Sequence, residues 1–239
     1  MAVPCVFYDR AVSSALRGFP SRFPVRDDDR RPWRYRIVSA GSRVVLRAIF
    51  GRDLDVRSLS NMTDDGPLLV VANHLSNIDP FLFGGFAPGA MFCMAKRELY
   101  RHPVVAWVLG GCNCYPVDRG TADRWALRTS LDLLSSGGRV LIFLEGTRAA
   151  TPGMKRAEAG VGFLARRSGA RVLPVALWGS EGALGRGRRL PHRVPIEVRV
   201  GEAFTPETAA GRGVDQAIAD VIGHRIAALL PERYRGVYA

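Results

Sequence analysis

The sequence predicts an α/β protein: a mixed, largely parallel central sheet flanked by helices, with an N-terminal amphipathic helix. Three observations carry this. Residues 67–72, 139–144 and 172–178 are short apolar runs rich in β-formers, with the length of buried strands. Residues 124–134, 157–168 and 214–230 show helical spacing of apolar positions instead. Alternation of the two makes at least part of the sheet parallel, because parallel neighbours need a crossover between them.

Residues 1–34 mix prolines, glycine and the charged block 26–31, have no apolar period and read as a loosely ordered lead-in. From Trp33 to Phe50 the pattern becomes helical. At roughly 100° per residue Arg36, Arg43 and Arg47 fall together, while Ile37, Val38, Val44, Val45, Ala48 and Ile49 spread over the other side. Two readings of this basic amphipathic helix stand open. It lies in a membrane interface with Trp33 and Tyr35 at headgroup depth, or it packs on the domain with a solvated basic face. The division expected is residues 1–50 as lead-in and helix, and 51–239 as one domain.

The strand at 67–72 ends in Asn73-His74. A short helix follows at 80–86, a strand at 91–95, and helical spacing at 96–109 that stops at Gly110-Gly111. Residues 112–119 form a short extended piece. Thr121 or Asp123 caps the next helix, which Gly137-Gly138 ends. Ile196–Val200 alternates as a strand, and 214–230 closes the chain as a helix.

Composition bounds the partners. The 239 residues carry 34 Lys+Arg against 22 Asp+Glu, a net charge of +12, which points to an anionic partner. The apolar share of 47% suffices for a sizeable core. Cys5, Cys93, Cys112 and Cys114 have neither metal-ligand spacing nor a paired framework, and a reduced, cytosolic setting fits. No apolar run is long enough to span a bilayer, and Pro4 and Asp9 break any signal-like stretch. Nucleic-acid binding is not supported, since no aromatics interleave with the basic residues as a stacking platform would require.

Three strand ends carry polar clusters: His74 with Asp79, Asp118 with Arg119, and Glu145-Gly146-Thr147-Arg148. Strand ends are where ligands bind in open α/β sheets. A turn that folds Asp79 back onto His74 lets the carboxylate accept from one ring nitrogen and leaves the other to take a proton from a substrate hydroxyl. Arg119 and Arg148 offer forks for a phosphate, and the backbone at Gly146-Thr147 offers N–H donors. Each cluster taken singly also reads as a structural turn or a surface ion pair, and Glu145 as a loop cap.

Together the blocks resemble the glycerolipid acyltransferase family. Residues 73–79, Asn-His-Leu-Ser-Asn-Ile-Asp, match its NHxSxxD block, and residues 111–119 look like its second block, which ends in an Asp-Arg pair. Residues 143–148, Phe-Leu-Glu-Gly-Thr-Arg, resemble its Phe-Pro-Glu-Gly-Thr-Arg block with Leu144 in place of proline, and Leu173-Pro174-Val175 its fourth. The resemblance implies acyl transfer from acyl-CoA or acyl-carrier protein, as co-substrate rather than bound cofactor, to a lysophosphatidic acid, forming phosphatidic acid in phospholipid biosynthesis. It implies His74 as base, Asp79 as its partner, and Arg119, Glu145, Gly146, Thr147 and Arg148 as acceptor-binding, with no metal. The expected partner is an anionic membrane surface, contacted peripherally from the cytoplasmic face. Alternatives are the same chemistry on another lysolipid, an aminolipid or a glycolipid, or a non-catalytic anion-binding protein at a membrane surface.

Overall fold

The computed structural model describes residues 33–62, 66–118, 123–149, 152–185, 187, 190–207 and 211–239. Seven strands form one sheet: β1 (Leu54–Arg57), β2 (Leu68–Ala72), β3 (Phe92–Lys96), β4 (Cys114–Val117), β5 (Arg139–Phe143), β6 (Arg171–Trp178) and β7 (Ile196–Val200). Their spatial order is β1-β7-β6-β2-β5-β3-β4, and every pairing is parallel except β6 with β7. The helices are α1 (Trp33–Phe50), α2 (Asp79–Phe86), α3 (Pro103–Gly111), α4 (Arg124–Ser135), α5 (Ala159–Ser168), α6 (Ser180–Leu184), α7 (Val214–Ala227) and α8 (Glu232–Arg235).

Strand β2 explains the layering. All five of its residues are buried, as expected of a strand with neighbours on both edges and helices on both faces. Leu69 and Val71 point into a core shared with Leu133 and Leu134 of α4, Leu164 of α5 and Ile222 of α7. Leu68, Val70 and Ala72 point the other way, to Leu46 and Phe50 of α1 and to Leu82 and Phe83 of α2. Each large aliphatic side chain buried this way stabilises the fold by roughly 1.5–3 kcal/mol.

Two sequence expectations change, and one strand was not foreseen. The helical stretch at 96–109 breaks into a 3-10 turn, Arg97–Arg101, and α3, because Pro103 lacks an N–H and starts a new helix. Strand β1 pairs with β7, Leu54 opposite Ile196, a contact between distant residues that local pattern does not announce. Helix α1 does form, but its buried residues are Tyr35, Ser39, Leu46 and Phe50, so neither reading of it was complete. Tyr35 is not at a headgroup level: its hydroxyl donates to Gly89 O at 3.3 Å and accepts from Met91 N at 3.4 Å. Ser39 Oγ donates to Gly84 O at 2.6 Å and Arg43 Nε to Gly85 O at 2.7 Å, gripping α2. Gly85 permits the approach, since a Cβ there would lie 3.2 Å from the Arg43 nitrogen. Among the described residues no helix is long and apolar enough to cross a membrane.

Candidate active site

Strands β2, β5 and β6 run parallel, so their C-terminal ends share one edge. Asn73 ties two of them together: its Nδ2 donates to Leu177 O and its Oδ1 accepts from Leu177 N, both at 2.8 Å. This fixes the turn that follows. Ser76 Oγ donates to Leu184 O at 2.8 Å, and Asn77 N donates to the same carbonyl at 3.4 Å. The conformation leaves Asp79 as the first residue of α2, folded back over residues 74–76.

His74 and Asp79 therefore meet, with Nδ1 2.9 Å from Oδ2. The same Oδ2 accepts from Leu75 N and Ser76 N, each at 2.8 Å, and Asp79 is fully buried. The tautomer that fits this contact has its proton on Nδ1, donated to Oδ2, and a lone pair on Nε2. The ring is also held by stacking. Phe143, the last residue of β5, lies parallel to it at 4.0 Å between centroids and 17° between planes, with Phe83 edge-on behind at 6.3 Å. Phe143 covers one face of the imidazole and confines approach to the rest of its perimeter.

The turn after β5 docks against this constellation. Leu144 N donates to Ala72 O and Ala149 N to His74 O, both at 2.8 Å. The first of these bonds is one that a proline at position 144 cannot make. Gly146 takes a left-handed φ of +64° and its N–H donates to Phe143 O at 3.0 Å, so that donor is spent on the turn. Gly146 and Thr147 are exposed, and Arg148 is half-buried.

Glu145 is buried inside the turn. Its Oε2 accepts from Lys155 N at 3.2 Å, while Oε1 has no hydrogen-bond partner among the described residues. Burial pushes its carboxyl from the ordinary 4.5 up to about 7, opposed by the Lys155 and His74 backbone N–H groups. The C-terminal segment holds the loop that supplies Lys155: Met154 N donates to Tyr234 O, Val237 N to Met154 O, and Ala157 N to Tyr238 Oη. Tyr234 and Tyr238 were invisible as site supports in the sequence, because they act from its far end.

Of the predicted residues, the structure brings His74, Asp79 and Glu145 together, with Gly146, Thr147 and Arg148 on the adjoining turn. Arg119 lies outside the described residues. Its neighbour Asp118 accepts from Arg97 Nε at 2.7 Å, and Asp118 N donates to Asp123 Oδ2 at 2.9 Å. Asp123, not Thr121, is the cap of α4, its Oδ1 accepting from Trp125 N and Ala126 N. Phe143 stood inside a recognised block, yet nothing in the sequence showed its stack on His74.

A histidine held by a buried carboxylate, at the open end of a parallel sheet and beside a turn that carries an arginine, is an arrangement that can move a proton off a hydroxyl. The Acyltransferase family model matches residues 53–178, more than half of the chain, which therefore belongs to that family. Within it the chain is similar to glycerolipid enzymes. It is 31% identical over 135 residues to the 1-acyl-sn-glycerol-3-phosphate acyltransferase of Pseudomonas aeruginosa, covering 55% of this chain and 52% of that protein. To the protein of the same name from Bacillus subtilis it is 26% identical over 170 residues, 70% of this chain and 81% of that one. The match thus spans about half the length of the first of these relatives. The crystal structure of the Thermotoga maritima 1-acyl-sn-glycerophosphate acyltransferase shares the fold, with a TM-score of 0.69 at 24% identity over 83% of this chain and 80% of that one.

Proposed function

We propose that this protein transfers a fatty acyl group from acyl-CoA or acyl-carrier protein to the free hydroxyl of a lysophosphatidic acid, giving phosphatidic acid for phospholipid synthesis. One observation carries the reading: the His74 Nδ1 to Asp79 Oδ2 contact of 2.9 Å, on a carboxylate already fixed by two backbone donors. A structural turn has no need of an imidazole whose second nitrogen is left as an acceptor.

In the reaction the acceptor hydroxyl attacks the thioester carbonyl while Nε2 takes its proton, and the imidazolium that forms is stabilised by Asp79. Collapse of the tetrahedral intermediate breaks the carbon–sulfur bond, and the imidazolium returns the proton to the departing thiolate. Arg148, with Arg119, clamps the acceptor phosphate by charge-assisted bonds, and holding it aligns the hydroxyl with Nε2. The exposed Gly146-Thr147 backbone adjoins the phosphate or the developing oxyanion. Helix α1, whose Arg36, Arg43 and Arg47 are exposed in one row, meets the anionic lipid surface from which the acceptor comes, peripherally and from the cytoplasmic face.

The test incubates the purified full chain and anionic vesicles with an acyl thioester and a panel of lysolipids. Thiol release coupled to phosphatidic acid formation is the expected result. Product from every lysolipid except lysophosphatidic acid would overturn the acceptor assignment, and no thiol release with any of them would overturn the reaction.

A further inference from the structure

Helix α3 is an anomaly. Its sequence, Pro-Val-Val-Ala-Trp-Val-Leu-Gly-Gly, contains no charged or hydrogen-bonding side chain except the indole, yet it lies at the surface. Val104 is 74% exposed and Trp107 46%, with Val105 and, just before the helix, Leu99 also exposed. Scattered apolar residues on a surface need no explanation, but a whole helix face does.

The contacts of α1 show that this face continues onto a second helix. At roughly 100° per residue the exposed side of α1 divides in two. Arg36, Arg43 and Arg47 form the border toward α2, where Arg43 bonds Gly85 O at 2.7 Å and the Arg47 guanidinium lies 5.6 Å from the centre of the Phe86 ring. Arg34 and Val38 form the opposite border, toward α3. There Arg34 Nη2 donates to Trp107 O at 2.9 Å, its guanidinium stands 5.3 Å from the Trp107 ring centroid, and Val38 packs on Gly111. Trp33, Ile37 and Val44 lie between the two borders and Val45 on the second, and all four are more than half exposed. The apolar strip of α1 thus runs on into Val104, Val105 and Trp107, although the two segments are some seventy residues apart in the chain.

We propose that α3 is a second lipid-inserting element: Val104, Val105 and Trp107 enter the headgroup–acyl boundary of an anionic leaflet beside the outer face of α1. Charge selects this partner over a second copy of the chain. The strip is bordered by Arg36, Arg43 and Arg47 on one side and approached by the exposed Arg101 and His102 on the other. Two such faces brought together would oppose like charges, whereas lipid phosphates complement them. The paired tryptophans, Trp33 and Trp107, suit an interface that is apolar on one side and wet on the other. The position also has a use. Helix α2, which begins at Asp79, is gripped at its far end by α1, so the surface stands one helix away from the His74 dyad.

This inference takes its purpose from the proposed lipid reaction, but its readouts need no turnover. The full chain is mixed with vesicles of phosphatidylcholine and phosphatidylglycerol, one set carrying brominated acyl chains, and tryptophan emission is recorded. The protein has four tryptophans, of which Trp178 is buried and Trp125 half-buried against Tyr115, so quenching reports Trp33 and Trp107. Trp107→Phe, which keeps the surface apolar, removes a clear share of the bromolipid quenching. Val104→Asp with Val105→Asp weakens vesicle partitioning by about tenfold or more, at positions exposed enough to tolerate the change. Quenching in Trp107→Phe equal to that of the unaltered chain would overturn the proposal, and so would full vesicle binding by the double variant. If that variant instead turns a dimer into a monomer and binds vesicles as before, the face joins copies and the proposal fails. A chain that inserts Trp107 yet transfers no acyl group would sink the proposed function and leave this inference standing.

Discussion

Asp79 and Glu145 are buried carboxylates at the ends of neighbouring strands, 0% and 4% exposed, and their surroundings differ. One oxygen of Asp79 collects two backbone N–H groups and the His74 ring within 2.9 Å. Glu145 has a 3.2 Å contact from Lys155 N on one oxygen, its other oxygen has, like Asp79 Oδ1, no hydrogen-bond partner among the described residues, and its carboxyl is pushed up to about 7. The first is held still by its donors. The second is paid for in desolvation, so a bound donor or a proton relieves it. Burial alone does not define what a carboxylate does; the count of donors around it does.

The largest expected effect removes the ring that Asp79 orients. His74→Ala lowers acyl transfer by about 10²–10⁴-fold, roughly 3–5 kcal/mol of barrier, measured by single-turnover rates at a temperature where thermal unfolding shows the variant folded. Near-normal turnover in a folded variant would break the proposed mechanism. Asp79→Ala behaves differently, because it strands the Leu75 and Ser76 N–H groups in a buried turn as well as releasing the ring. It costs on the order of 2–4 kcal/mol of stability by denaturant titration, in addition to activity.

Glu145→Gln sharpens the contrast through pH. A carboxyl raised from 4.5 to about 7 in the folded state holds its proton longer there than in the unfolded chain. Its favourable contribution is complete below the unfolded value and is lost as pH rises through about 7, a total of about 3 kcal/mol. Glu145→Gln is therefore more stable than the parent at pH 8.5, and this advantage shrinks toward pH 4.5. An advantage that is the same at both ends would show that Glu145 does not titrate in this range.

Smaller effects come from the arginines. Arg148→Lys, and likewise Arg119→Lys, keeps the charge and loses the fork, costing about 1.5–3 kcal/mol of binding to lysophosphatidic acid but little toward an uncharged monoacylglycerol. Equal losses on both acceptors would mean that these residues do not read a phosphate. Replacing Arg36, Arg43 and Arg47 with glutamine weakens vesicle binding by at most about 1 kcal/mol for each, and the difference fades as salt rises. Vesicle binding by the triple variant equal to that of the parent at low salt would leave α1 as a packing element only.

Much of this molecule was legible in the order of its residues. Strands β2, β5 and β6 are continuous apolar runs because both faces are covered, and burial on both faces writes itself directly into composition. The approach of Asp79 to His74 was legible because it is a local turn, five residues wide, with a proline just inside the helix that follows. The parts that stayed hidden depend on distant neighbours. Which side of α1 is buried was decided by Gly84, Gly85 and Gly89 accepting from its Ser39, Arg43 and Tyr35, against the apparent amphipathic pattern. The Phe143 stack requires the register that sets Ala72 beside Phe143, and the raised carboxyl of Glu145 requires a loop held down by Tyr234 and Tyr238. Local sequence determines turns and periodicity, since those involve residues within a few bonds of one another. Side-chain electrostatics and the choice of buried face arise only when the sheet brings remote segments together, because desolvation and ring contacts depend on everything that surrounds a group.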